Sequence, residues 1–128
     1  MIARLALVGF GGMIGALMRY GAGGLVHRLY AGRFPLGTLL INTAGCLAIG
    51  FLFTMAEDRG VMSAYARLFV FVGVLGGFTT FSSFGYETFT LWRDGLAARA
   101  LLNVAANMTL GLAAVWVGHV LARLIPGG

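Results

Sequence analysis

Gly76-Gly77-Phe78-Thr79-Thr80-Phe81-Ser82-Ser83-Phe84 sits in the middle of an otherwise apolar run that extends from about Ala64 to Trp92. A glycine pair followed by two threonines and two serines offers the backbone local alternatives to helical hydrogen bonds. The stretch therefore predicts a broken helix. On its flanks the sequence is almost entirely apolar: 59% of the 128 residues are hydrophobic, 10% are charged, and mean hydropathy is +0.91. A water-soluble domain of this size needs a far more polar surface, so the chain is read as a membrane protein, and a helix break at membrane depth is tolerated only where it is buried or lines a cavity.

Roughly 20 helical residues cross a bilayer. Dividing the chain at its charged and proline-containing stretches gives four spans: about Leu5 to Val26, from just after Arg33-Phe34-Pro35 to about Ala56, about Ala64 to Trp92, and about Leu96 to Leu124. Proline suits the first turn of the second. The expected fold class is thus an all-α integral membrane protein, a single four-helix transmembrane domain over residues 1–128, with the third helix broken near Gly76 to Thr80. Arg4 followed by an apolar run has the outline of a signal peptide, but removing that segment leaves an odd number of spans and discards a glycine-rich packing face.

The nine basic residues are all arginines. Arg4, Arg59, Arg67 and Arg123 fall towards one side of the membrane, and Arg19, Arg28, Arg33, Arg93 and Arg99 towards the other. Topology normally follows an excess of positive charge in cytoplasmic loops, and so small a difference instructs insertion weakly. The expectation is insertion in both orientations and pairing of opposite copies into an antiparallel homodimer. The alternative is a fixed topology set by charges that this count weights poorly. Because the arginines form no run or stripe, nucleic acid is not an expected partner; the lipid bilayer is.

Glycine contributes 21 residues, where about 7% is usual. Gly11 and Gly15 form a GxxxG pair on the first span, which is read as close helix packing. Cys46 stands alone, so no intrachain disulfide or multi-cysteine metal site is available. Arg19 either snorkels to the interface or faces an electropositive vestibule. In the second span Thr38 and Asn42 are four residues apart, and in the fourth Asn103 and Asn107 repeat that spacing, with Gly45 and Gly111 following. Their amides and hydroxyls either bond helix to helix or donate to an anion without carrying charge. If helix resumes beyond the break, Phe78, Phe81 and Phe84 form one stripe, and Thr80, Ser83 and Glu87 lie together beside it. The stripe is either core packing or a set of rings whose positive edges accommodate an anion.

His27 and His119 lack neighbours at metal-ligand spacing and are read as interfacial, and no nucleotide-binding or nucleophile motif occurs, so an enzyme is not expected. None of Glu57, Asp58, Glu87 and Asp94 falls at the centre of a span, which gives a proton relay little to stand on.

Three stretches resemble the small fluoride channels of the Fluc or CrcB family: Gly11 to Tyr20 (GMIGALMRY after the leading glycine), Pro35 to Gly45 (PLGTLLINTAG), and Gly76 to Phe84 with Glu87. The resemblance covers essentially the whole chain. It implies passive, fluoride-selective export that lowers cytoplasmic fluoride, through two pores in an antiparallel homodimer with a structural sodium ion on the two-fold axis. By similarity Phe81 and Phe84 turn ring edges to fluoride, Asn42 supplies an amide donor, and Thr38, Thr80 and Ser83 bear hydroxyls along the pore. Asn103 and Asn107 are placed along it too, where some members carry tyrosine and serine. Gly76 and Thr79 match the positions whose backbone carbonyls hold sodium, and Arg19 stands at the aqueous mouth. The expected location is a bacterial cell (inner) membrane, as a multi-pass protein. The rival readings are a small multidrug-type exporter, which needs a membrane-embedded glutamate in the first helix where this chain has only Arg19, and a non-transporting assembly subunit.

Overall fold

A computed structural model describes residues 1–126, and every regular element among them is helical. Helix α1 spans Ile2–Leu29 and α2 spans Leu36–Arg59. The third membrane segment is composite: α3 (Ala64–Arg67), a π-helix (Leu68–Leu75), α4 (Gly76–Phe78) and α5 (Phe81–Arg93). Helix α6 covers Ala97–Leu124. Four helical runs among the described residues are long and apolar enough to cross a membrane, the third running through the break from Ala64 to Arg93. The chain is a multi-pass membrane protein. Helix α1 extends about a turn beyond each end of the hydrophobic run that marks it in sequence, because helix continues into the polar boundary region at no loss of backbone bonding, whereas α6 keeps to its expected bounds within a residue.

Apolar side chains drive little association between helices in lipid, so contact is governed by how closely backbones approach. On α6 the buried positions are Ala100, Asn103, Asn107, Gly111, Ala114, Gly118 and Ala122, recurring every third or fourth residue. This small-residue stripe lies against α2. A Cβ placed on Gly118 meets the Phe51 backbone nitrogen at 2.7 Å, and one on Gly50 meets the Val115 backbone at 2.9 Å, so neither glycine admits a side chain there. The glycines of α1 do the same against the third segment. A Cβ on Gly11 meets the Phe69 carbonyl oxygen at 2.6 Å, one on Gly73 meets Gly11 Cα at 2.9 Å, and Gly15 abuts the Val74 carbonyl. The GxxxG face is therefore a packing face, as its spacing indicates.

The third segment departs from simple helix twice. Leu68 to Leu75 is wound as a π-helix, in which the Gly76 N–H reaches back to the Phe71 carbonyl, five residues earlier. At Thr79 and Thr80 the backbone then becomes extended, with φ/ψ of −81/157 and −150/110. Helix restarts at Phe81 because Thr80 caps it, its Oγ1 accepting the Ser83 N–H at 3.2 Å. The expected break is present and lies between Phe78 and Phe81.

The arginines mark the two ends. Arg67 pairs with Glu57, Arg123 lies 3.5 Å from Asp58, and Arg59 donates to the carbonyls of Ala122 and Ile125. Arg59 thereby satisfies acceptors that the end of α6 leaves open. Arg19, Arg28 and Arg33 gather at the opposite end, around a cavity.

Candidate functional site

Breaking a helix removes donors from some carbonyls and acceptors from some amides, and these must be matched elsewhere within a membrane. Asn42 on α2 does this for Thr80. Its Oδ1 accepts the Thr80 N–H at 2.8 Å, while its Nδ2 donates to the Thr80 carbonyl at 3.0 Å. The second Nδ2 hydrogen is directed at Asn107 Oδ1, 3.4 Å away on α6. Asn107 in turn donates to the Asn103 backbone oxygen and Oδ1 at 2.9 and 3.0 Å, and Asn103 donates to Thr88 Oγ1 at 2.9 Å. The two spans singled out for paired polar residues thus meet at the break.

On one side of the break lies an open cavity of about 730 Å³. Arg19, His27, Arg28 and Arg33 line its mouth, and Thr38, Thr80, Ser83 and Glu87 line it further in. Arg19 is half-buried and faces this space, in keeping with a vestibule. Thr38 Oγ1 donates to Glu87 Oε1 at 2.7 Å, and Glu87 Oε2 is buried without a protein partner. Thr80 Oγ1 donates to Ser83 Oγ at 2.9 Å, which leaves the Ser83 proton free to point into the cavity.

On the other side is a more apolar groove of about 350 Å³, lined by Asn42, Gly76, Thr79 and Phe81 among others. Thr80 lines both spaces and so stands between them. The two phenylalanines that follow it are placed unequally. Phe84 is 7% exposed and Phe81 is 76% exposed, with ring centroids 5.4 Å apart and planes inclined by 55°. Phe78 stands before the break and does not continue their stripe.

The structure thus brings Thr38, Asn42, Thr80, Ser83, Phe81 and Phe84 to one region, with Arg19 at its outer mouth. Asn103 and Asn107 are 1% and 8% exposed and line neither space; they reach the region through Asn42 and through Thr88. Gly76 and Thr79 flank the groove. Because the Thr80 N–H goes to Asn42, the Gly76 carbonyl loses the donor that a continuous helix provides, and an oxygen so released is a fitting ligand for a hard cation such as sodium. Two contacts have no cue in sequence spacing: Thr38 with Glu87, and Thr54 with His119 Nδ1 at 2.9 Å. The His119 contact ties α2 to α6 away from both spaces.

A membrane-spanning helical protein whose polar groups converge on one broken helix between a basic cavity and an aromatic-edged groove belongs, as a class, with ion-conducting proteins. The profile of the family described as CrcB-like protein, Camphor Resistance (CrcB), matches residues 6–119. The chain is 45% identical over 117 residues to the fluoride-specific ion channel FluC of Solibacter usitatus, covering 91% of this chain and 96% of that one. It is 43% identical over 124 residues to a protein of the same name from Thermus thermophilus, covering 97% and 98%. With that of Nitratidesulfovibrio vulgaris it shares 39% identity over 122 residues, covering 95% and 98%. The chain belongs to the CrcB family.

Proposed function

We propose that this protein is a fluoride-selective channel, not an enzyme, and exports fluoride passively down its electrochemical gradient across the cell membrane. The observation that carries this reading is the place of Thr80: one residue of the break lines both a basic vestibule and a groove edged by Phe81, with Phe84 packed beside it. Fluoride is small and strongly hydrated, so a pore must replace its water with donors while avoiding a trap too deep to leave. The free Ser83 hydroxyl and the positive ring edges of Phe81 and Phe84 are weak, uncharged partners of that kind, while the Thr80 and Thr38 hydroxyls line the path with their protons engaged by Ser83 and Glu87. The arginines stand outside, where they raise local anion concentration without holding the ion in transit. The relatives' names support the same reading.

The working unit in this proposal is an antiparallel homodimer with two pores. Supporting it are the nearly even division of arginines between the two ends and the exposure of Phe81, a ring that a second copy would cover. A structural sodium ion is assigned to the break, where backbone carbonyls at Gly76 and Thr79 would hold it and where it would supply a fixed positive charge to pair with carbonyl oxygens released from helical bonding. The test in cells is fluoride tolerance: a bacterium deprived of its own fluoride export regains growth at inhibitory fluoride when it carries this chain. Failure to restore growth by protein present in the membrane contradicts the proposal.

A further inference from the structure

The hydrogen bonds that begin at the break do not end there. They run from the Thr80 peptide to Asn42, from Asn42 to Asn107, from Asn107 to Asn103, and from Asn103 to Thr88, whose Oγ1 donates to the Phe84 carbonyl at 2.7 Å. The run starts at Thr80 and finishes at Phe84. It therefore brackets, at both ends, the single turn of α5 that carries the Phe81 and Phe84 rings.

The donor count says what these amides are free to do. Both Asn107 amide hydrogens are directed at Asn103, and both Asn42 amide hydrogens at Thr80 and Asn107. Asn103 is buried to 1% exposure. A buried amide in lipid that surrenders such bonds to an ion leaves other groups unpaired, which is unfavourable by more than one hydrogen bond is worth. Simple adhesion between helices requires no particular end points, whereas this run terminates on the two backbone groups that define the ring-bearing turn.

We propose that Asn103 and Asn107 are positioning residues: acting through Asn42 at Thr80 and through Thr88 at Phe84, they fix the turn that sets the Phe81 and Phe84 rings, and they touch no permeating ion. The proposal rests on the reading of those rings as part of the anion path. Its physical consequence is that selectivity, which depends on ring placement, is sensitive to side chains outside the path.

The test uses the full-length protein and three variants, Asn107→Leu, Thr88→Val and Thr88→Ser. Two quantities are read: hydrogen exchange of the Thr80 backbone amide in lipid nanodiscs, and the ratio of fluoride to chloride efflux from liposomes. Asn107→Leu and Thr88→Val are expected to lower the flux ratio on the order of tenfold, the factor that corresponds to losing one hydrogen bond's worth of placement. Thr88→Ser retains the hydroxyl and stays near the unmodified protein. Thr80 exchange is expected to accelerate in Asn107→Leu. An unchanged ratio in assembled Asn107→Leu and Thr88→Val overturns the proposal, as does equal loss in Thr88→Ser and Thr88→Val. Fluoride-dependent shifts of the Asn107 side-chain amide resonance also overturn it, since they mean direct contact. If Asn107→Leu does not assemble, the Thr88 pair decides. Should the unmodified protein not prefer fluoride, the functional reading fails by itself, and Thr80 exchange alone then decides whether the asparagines hold the turn: acceleration supports it and normal protection contradicts it.

Discussion

Asn42 grips the Thr80 peptide from both sides, its Oδ1 on the N–H at 2.8 Å and its Nδ2 on the carbonyl at 3.0 Å. One side chain thereby supplies the acceptor that the break takes from the Thr80 N–H and adds a donor to the Thr80 carbonyl, at the point where the third membrane segment opens. An aspartate there keeps the acceptor, loses the donor, and brings a negative charge beside the proposed path. Asn42→Asp is expected to block fluoride passage in liposome efflux while the protein still elutes as an assembled oligomer. Unaltered flux from Asn42→Asp removes that position from the pathway.

Phe81 and Phe84 separate a functional role from a packing role, because one is exposed in the protomer and the other buried. Phe81→Ile takes little packing from the protomer, yet is expected to abolish fluoride flux. Phe84→Ile is expected to abolish flux as well and also to lower the midpoint of thermal unfolding in detergent, since the smaller side chain leaves part of a filled site empty. Efflux assays alongside unfolding curves check both. Normal flux from both variants takes the rings out of the mechanism.

The glycine contacts between α1 and the third segment predict a purely structural defect. A side chain at Gly15 meets the Val74 carbonyl, a backbone atom that cannot swing aside. Gly15→Val is expected to cost at least about 1–3 kcal/mol through overpacking, read as loss of the monodisperse peak in size-exclusion chromatography. The neighbouring Gly9, where an added Cβ meets nothing within 4 Å, accepts alanine without that loss.

Much of the fold is legible in the sequence. The four spans follow from hydropathy and length, and the break follows from Gly76-Gly77 and the hydroxyl run, because these residues weaken helix for local reasons that hold in any surroundings. Thr38, Asn42, Thr80 and Ser83 are legible as candidate site residues because polar groups in an apolar span require a partner. Three features are not. The π-helix from Leu68 to Leu75 arises where an ordinary apolar sequence is pressed against the α1 glycines, so its cause is tertiary. The Thr38 contact to Glu87 joins residues 49 apart and has no periodicity to reveal it. The inward role of Asn103 and Asn107 depends on which face of α6 meets α2, and two asparagines four apart look the same whether they face a pore or a neighbour.

The balance of arginines bears on insertion rather than packing. Reporter fusions at the carboxyl terminus are expected to register on both sides of the membrane, and adding two or three arginines to the 57–67 end is expected to bias the population to one side. A reporter confined to one side in the unmodified protein contradicts dual topology, and with it the antiparallel dimer.

The central claim is selective, passive fluoride conduction by this chain alone. Its most direct test is anion efflux from liposomes containing only the purified protein, followed with a fluoride electrode and repeated with chloride as the sole permeant anion. Rapid fluoride loss without comparable chloride loss is the predicted result. Silence for both anions, from protein shown to be assembled, contradicts the channel and leaves the Thr80 break as a packing feature of an assembly subunit.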